Sequence, residues 1–362
     1  MADPSAIRDE AARLVAFFEA KGARRVDPPV LLPAETLLDL YGEDIRARAY
    51  VTADPRYGEA MLRPDFTVPV VQMHMNAGDE AARYTYAGEV FRKPEGASRR
   101  PAEYIQVGFE LFAGGASAEA DAEVFALIAK ALAPLGLRAA TGDFGILKAA
   151  VSGLSTTEPR KRALMRHLWR PRRFRALLDR FAGRAPAPEG RAELLAKPDP
   201  TACVAPLVGL RTKAEIAARI AALREDAAAP PIPAAEVALL DDLLSLRETM
   251  ANITEHLRDL AVDMPTIGPA VERLAARGQA LAAHGVDIEA LEFEGSYGRT
   301  ALEYYDGFVF GFYAEGRPDL PPVATGGRYD ALTRVLGRGH EIPAVGAVIR
   351  PELVLDQKER RA

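Results

Sequence analysis

The chain has 362 residues, enough for two or three ordinary domains or for one large core carrying an insertion. Hydrophobic residues make up 49% and charged residues 27%, and a formal net charge of −5 leaves no electrostatic footprint for nucleic acid. A single cysteine, Cys203, excludes an internal disulfide or a thiolate metal site and suits a reducing compartment; the five histidines lie far apart without metal-ligand spacing.

From its first residues the chain runs into an amphipathic pattern with no apolar leader segment, and nowhere is there an apolar stretch long enough to span a bilayer. A soluble, cytoplasmic protein is therefore expected. Ser5 is the expected N-cap of a first helix, with Ile7, Ala11, Leu14, Val15 and Phe18 at helical spacing up to Gly22. A short strand broken by prolines and a helix near Ala34 to Tyr41 follow. Residues 60 to 76 suggest a strand, a Pro-Asp turn and a helix. Two strands, about Arg83–Phe91 and Glu103–Phe112, form a hairpin-like antiparallel pair joined by the polar loop Arg92–Ala102. Ala118 to Leu135 is an Ala-rich amphipathic helix. From about Lys148 to Ala283 β-branched residues thin out and Ala, Leu, Arg and Glu dominate, the pattern of a helical insertion. Sheet patterns return at Ile288–Glu294, Ala301–Tyr313 and Pro343–Ile349, and a last helix begins near Pro351. Strands at both ends around a helical middle indicate one discontinuous α+β core.

Five segments carry unusual polar detail. In Glu103–Phe112, period-two alternation places Ile105, Val107, Phe109 and Leu111 on one face and Tyr104, Gln106, Gly108 and Glu110 on the other. A carboxylate, an amide and a phenol around a glycine that leaves room suit a small polar ligand. Leu62–Thr67 sets Asp65 and Thr67 at a turn, where both also serve as helix caps. The loop from Phe91 holds Arg92, Lys93, Arg99 and Arg100, which suits either an anion or plain solvation. Ala301–Phe310 places Tyr304 and Tyr305 beside Asp306, and most buried tyrosines are packing residues. Gly326, Gly327 and Arg328 precede Tyr329-Asp330; paired glycines admit a ligand or simply make a turn.

Taken in order, these segments resemble the catalytic core of class II aminoacyl-tRNA synthetases, and specifically histidyl-tRNA synthetases. Leu62–Thr67 is similar to that family's Leu-Arg-Pro-Glu-Gly-Thr, and Phe91–Glu110 to class motif 2, with its arginine at Arg92. Leu302–Tyr305 resembles the family's Leu-Asp-Tyr-Tyr, Gly326–Asp330 matches its Gly-Gly-Arg-Tyr-Asp, and Pro343–Gly346 opens motif 3. The resemblance covers about 5–150 and 285–356, with the helical insertion at about 150–285. It implies an antiparallel sheet flanked by helices. It also implies a histidine-like pocket of Asp65, Thr67, Arg92, Gln106, Glu110, Tyr304, Tyr305, Gly326, Gly327 and Arg328, with Asp65, Thr67 and Gln106 on an α-ammonium group and Glu110 and Tyr305 on the two imidazole nitrogens.

Departures from the pattern shift the expected function. Thr300 stands where the family has an arginine, Pro94 where it has an acid, and Arg350-Pro351-Glu352-Leu353 where motif 3 ends Gly-Leu-Glu-Arg. Losing such cations implies that adenylation is abolished. The chain ends soon after motif 3, so no anticodon-binding domain is expected and tRNA binding is not. A synthetase core of this kind resembles the regulatory subunits of ATP phosphoribosyltransferase. That implies a non-catalytic dimer, without metal or cofactor, that joins a short catalytic subunit for the first step of histidine biosynthesis and passes on feedback by histidine. A degenerate amino-acid ligase and a histidine sensor for another partner are the alternatives.

Overall fold

The computed structural model describes residues 3–41, 45–56, 58–78, 81–94, 101–113, 117–202, 208–299 and 304–361. Cys203, the Arg99-Arg100 pair, Thr300 and Leu302-Glu303 lie outside them. In chain order the strands are β1 (Arg24–Arg25), β2 (Leu31–Pro33), β3 (Val51–Asp54), β4 (Gly58–Leu62), β5 (Ala82–Phe91) and β6 (Glu103–Phe112). They continue with β7 (Arg138–Asp143), β8 (Arg247–Thr249), β9 (Glu292–Glu294), β10 (Phe308–Tyr313), β11 (Ala324–Arg328) and β12 (Ala344–Ile349).

Nine of these strands form one sheet in the order β1-β5-β6-β12-β11-β10-β7-β9-β8, and β2-β4-β3 form a small second sheet. The six central strands pair antiparallel; the β1–β5 and β7–β9 pairings nearer the edges are parallel. Alternation sends the two faces into different cores. On one face Val107, Phe109, Leu111, Phe308, Phe310, Phe312, Val345 and Ile349 pack beneath helices Pro4–Glu19 and Ser117–Leu132. Phe125 meets the rings of Phe310 and Phe312 at 5.2 and 5.1 Å between centroids. Each buried phenylalanine contributes roughly 2–3 kcal/mol, which makes this the main stabilising layer. The other face carries Tyr84, Tyr86, Phe112, Val309 and Val348, covered by helices Thr67–Ala77 and Asp330–Leu336 and by the small sheet.

The middle of the chain is mostly helical, but it is bound into the same core. Leu164, Phe174, Leu178, Leu240, Leu257 and Leu274 join the cluster under the sheet, and β8 closes the sheet's edge against β9. Helix Gly268–Ala283 lies along Ser117–Leu132 and drives Arg277 into the layer between helix and sheet. There Arg277 meets Asp121 at 2.8 Å and Asp143 at 2.7 Å, while Arg328 from β11 reaches the same Asp121 at 2.7 Å. Asp121 is fully buried, and the two arginines offset its cost of desolvation.

Three local expectations change. The first helix starts at Pro4 and its cap position is Asp3, to which the Ser5 hydroxyl donates, so Ser5 is not the N-cap. The Thr325–Arg328 segment is a central strand rather than a turn. Its glycines are required there, because a Cβ on Gly326 would come within 2.4 Å of Phe310 and one on Gly327 within 2.8 Å of Tyr305. In the Ala301–Tyr313 segment the strand begins only at Phe308, and Tyr304 to Asp306 approach it as a turn.

Candidate functional site

A row of residues crosses the second face of the sheet: Val309, Gly327, Gly346, Glu110 and Tyr84 stand opposite one another on five neighbouring strands. The next rows along pair Gly108 with Tyr86 and Gln106 with Gly88. Two glycines of this row, Gly327 and Gly346, leave a trough in the sheet that the Tyr305 ring and the Glu110 carboxylate fill. A Cβ at Gly346 would lie 1.5 Å from Glu110 Oε2, so the carboxylate can lie flat only over glycine. Gly108 has a different use from the one its sequence suggested: a Cβ there would come 2.1 Å from Tyr86, so the room it leaves is filled by the Tyr86 ring.

Glu110 is 1% exposed and organises the trough. Its Oε1 accepts from the Tyr86 hydroxyl at 2.8 Å and the Thr67 hydroxyl at 3.1 Å, and its Oε2 from the Tyr329 hydroxyl at 2.5 Å. The Tyr304 hydroxyl donates in turn to Thr67 Oγ1 at 3.2 Å. Thr67 has one proton to give, so Tyr304, Thr67 and Glu110 form a directed chain. Burial pushes the Glu110 carboxyl up to about 7, against the three hydroxyl bonds that favour its charge; Asp65 nearby pushes the same way as burial. Burial, and next the Glu110 charge, raise the phenols of Tyr86, Tyr305 and Tyr329 above their ordinary value, so all three remain donors at neutral pH.

Asp65 and Thr67 reach this cluster because the turn after β4 ends in helix Thr67–Ala77, whose Val68 amide donates to Asp65 Oδ1 at 3.4 Å. Phe66 stacks on Tyr86 at 4.3 Å between centroids, and the Arg63 guanidinium covers Phe66 at 3.9 Å. Arg92 Nε donates to the Pro64 carbonyl at 2.7 Å, which holds that turn against the end of β5. Gln106 is completely buried, and neither its amide oxygen nor its amide nitrogen finds a hydrogen-bond partner among the described residues. An unpaired buried polar group costs roughly 1–3 kcal/mol, so this amide marks where the site is incomplete.

Of the residues singled out from sequence, Asp65, Thr67, Gln106, Glu110, Tyr304 and Tyr305 gather on this face, with Gly327 in its floor and Arg92 at its turn. Gly326 and Arg328 do not join them. They alternate to the opposite face, where Arg328 binds Asp121 and Asp330 beside a polar cavity of about 230 Å³ lined also by Asp143, Arg273 and Arg277. Tyr86, Tyr329 and Gly346 are central to the site yet were not singled out. Tyr86 was recoverable from the hairpin register, which sets it diagonally beside Glu110. Among the described residues no group of three or more His, Cys, Asp or Glu side chains is placed to hold a metal. No helix among them is long and apolar enough to cross a membrane.

Comparison with known proteins gives four consistent likenesses. The model of the histidyl-tRNA synthetase family matches residues 2–354. An ATP phosphoribosyltransferase regulatory subunit from Allorhizobium ampelinum is 35% identical over 364 residues, 93% of this chain and 94% of its own. That of Brucella canis is 32% identical over 349 residues, 90% of this chain and 91% of its own. The crystal structure of an ATP phosphoribosyltransferase regulatory subunit/histidyl-tRNA synthetase from Bacillus halodurans superposes with a TM-score of 0.69 at 22% identity, covering 99% of this chain and 81% of that one. The fold is thus the class II synthetase type, a mixed sheet flanked by helices.

Proposed function

The chain belongs to the histidyl-tRNA synthetase family and, within it, to the ATP phosphoribosyltransferase regulatory subunits, and from that membership we propose that it is a non-catalytic subunit which a short phosphoribosyltransferase catalytic subunit needs for the first step of histidine biosynthesis. It works in the cytoplasm as a dimer within a hetero-oligomer, with the core at about 5–150 and 285–356, and the Glu110 trough takes histidine as the feedback signal. The names of its relatives support the role, and the Gln106 amide, buried and without a hydrogen-bond partner among the described residues, carries the ligand assignment.

The chemistry suits a zwitterionic imidazole. An α-ammonium group only donates, and Asp65, Thr67 and the Gln106 oxygen are acceptors. Neutral imidazole needs one acceptor and one donor, which Glu110 and the protonated Tyr305 supply. The groups that would activate a carboxylate are reduced on the same scaffold. Leu353, in place of the motif 3 arginine, packs against the core, and Arg350 is turned to the Pro322 carbonyl. Feedback then requires only that histidine bind two assembly states with different affinity.

Two measurements on the purified chain test this reading. Calorimetry is expected to detect histidine binding that falls at least about tenfold in Gln106→Leu, since one hydrogen bond to a charged group is worth about 1.5–3 kcal/mol. Histidine-dependent exchange of pyrophosphate into ATP is expected to be absent. Exchange at any appreciable rate would make the chain an enzyme and overturn the non-catalytic reading.

A further inference from the structure

Charge is distributed unevenly along the chain. Residues 158–184 hold ten Lys and Arg side chains against two carboxylates, a surplus of eight, in a chain of net charge −5; the remaining residues therefore carry a net −13. This stretch forms the helices Glu158–Arg166 and Pro171–Phe181, which pack on each other through Leu164, Phe174 and Leu178. Some of the cations have structural work: Arg160 binds Asp226, and Arg175 binds Asp241. Arg162, Arg166, Arg172 and Arg173 do not. All four are exposed, and none has an ion-pair or hydrogen-bond partner among the described residues.

Their positions are not ones that folding favours. Arg172 and Arg173 stand in the first turn of a helix that has no acidic residue there, where the helix dipole opposes a cation. Arg162 and Arg166 are a like-charged pair four residues apart on one helix face. Below the same turn, Arg299 donates through Nε to the Leu168 carbonyl at 2.8 Å and lies over Phe174 at 4.7 Å, with its Nη2 unpaired among the described residues. Burial, and next the neighbouring Arg175, bring Arg299 down to about 10, and no carboxylate among the described residues offsets them. The turn is thus a positive patch, with a buried cation behind it, in which Arg162, Arg166, Arg172 and Arg173 are not neutralised by any described residue.

We propose that this arginine-rich turn is the docking surface for an acidic face of the phosphoribosyltransferase catalytic subunit, an inference that rests on the regulatory-subunit reading above. A protein face fits better than nucleic acid for two reasons. The aromatic side chains of this helix pair and its turn face inward, Phe174 and Phe181 buried and Trp169 half-buried against Phe144 at 5.5 Å, which leaves little stacking platform for bases. The rest of the chain is strongly acidic, which repels an extended polyanion but not a compact acidic patch. Surface complementarity of this kind sets association rate and salt dependence.

The test is to immobilise the full chain and measure binding of the short catalytic subunit at low and at moderate salt. The wild-type chain is expected to lose affinity about tenfold or more as salt rises, because exposed charge pairs are screened. The combined Arg162→Glu, Arg166→Glu, Arg172→Glu and Arg173→Glu variant is expected to bind at least tenfold more weakly at low salt, with little salt dependence and an unreduced melting temperature. A second variant with glutamine at the same four positions keeps the test valid should the charge reversal disturb folding; it is expected to show the same loss at smaller amplitude. If both variants bind as the wild type does, this inference fails while the regulatory reading stands. If the wild-type chain does not bind the catalytic subunit at all, it is the regulatory reading that fails. A transfer RNA bound by the wild type and lost in the variants, with binding of the catalytic subunit unchanged, would give the surface to nucleic acid and also overturn the proposal.

Discussion

Glu110 determines the character of the site at the scale of single residues. It is held by three hydroxyl donors yet fully withdrawn from water, and burial wins, lifting its carboxyl to about 7. The consequence for stability has a definite sign. Between the ordinary value of 4.5 and about 7 the folded chain holds a proton that the unfolded chain has released, so this group's contribution falls as pH rises through that window. The full difference is about 3 kcal/mol. Glu110→Gln removes the titration, so the stability of the wild type relative to this variant is expected to decline by up to that amount from pH 5 to pH 8 in urea unfolding. Parallel curves for the two proteins would contradict the assignment. Much of this residue's setting was legible in the alternation of Glu103–Phe112, because one face of a strand is a property of parity alone. The use of Gly108 was not, since it depends on a tyrosine contributed by the neighbouring strand.

At the scale of elements, the sheet and the helices above it are joined by a buried ion network. Asp121 on one helix receives Arg277 from a second helix and Arg328 from β11, and Arg277 also binds Asp143 at the end of β7. Removing the shared carboxylate leaves each of two buried guanidinium groups one partner short, Arg277 with Asp143 alone and Arg328 with Asp330 alone, and breaking a buried pair characteristically costs about 3–5 kcal/mol. Asp121→Ala is therefore expected to lose that much in chemical denaturation; a loss below about 1 kcal/mol would show that the arginines find other partners. Arg328 illustrates the limit of motif reading. It is adjacent to Gly327, and for that reason alternation turns it away from the trough. β11 itself escaped sequence reading because Ala-Thr-Gly-Gly-Arg has poor strand propensity; it is a strand because two neighbours pair with it along its whole length and leave space only for glycine.

Across the whole molecule, a synthetase-type sheet keeps a built polar trough on one face. The helical middle of the chain joins the core on the opposite face, contributes Arg277 to the ion network there, and carries a basic turn without ion-pair partners for Arg162, Arg166, Arg172 and Arg173 among the described residues. The helical character of that middle was plain from its composition. Its integration into the core was not, since Leu164, Phe174 and Leu274 show a buried face without showing what covers it. The same scaffold therefore presents a buried polar cluster and a charged surface on separate elements, which is what the proposed function requires: one element to bind histidine and another to meet the catalytic subunit. The most direct measurement of that claim is the rate of a short-form ATP phosphoribosyltransferase catalytic subunit assayed with and without the full chain. A clear rise in activity on adding the chain, diminished again by histidine, is the predicted result; a rate unchanged by the chain would contradict it.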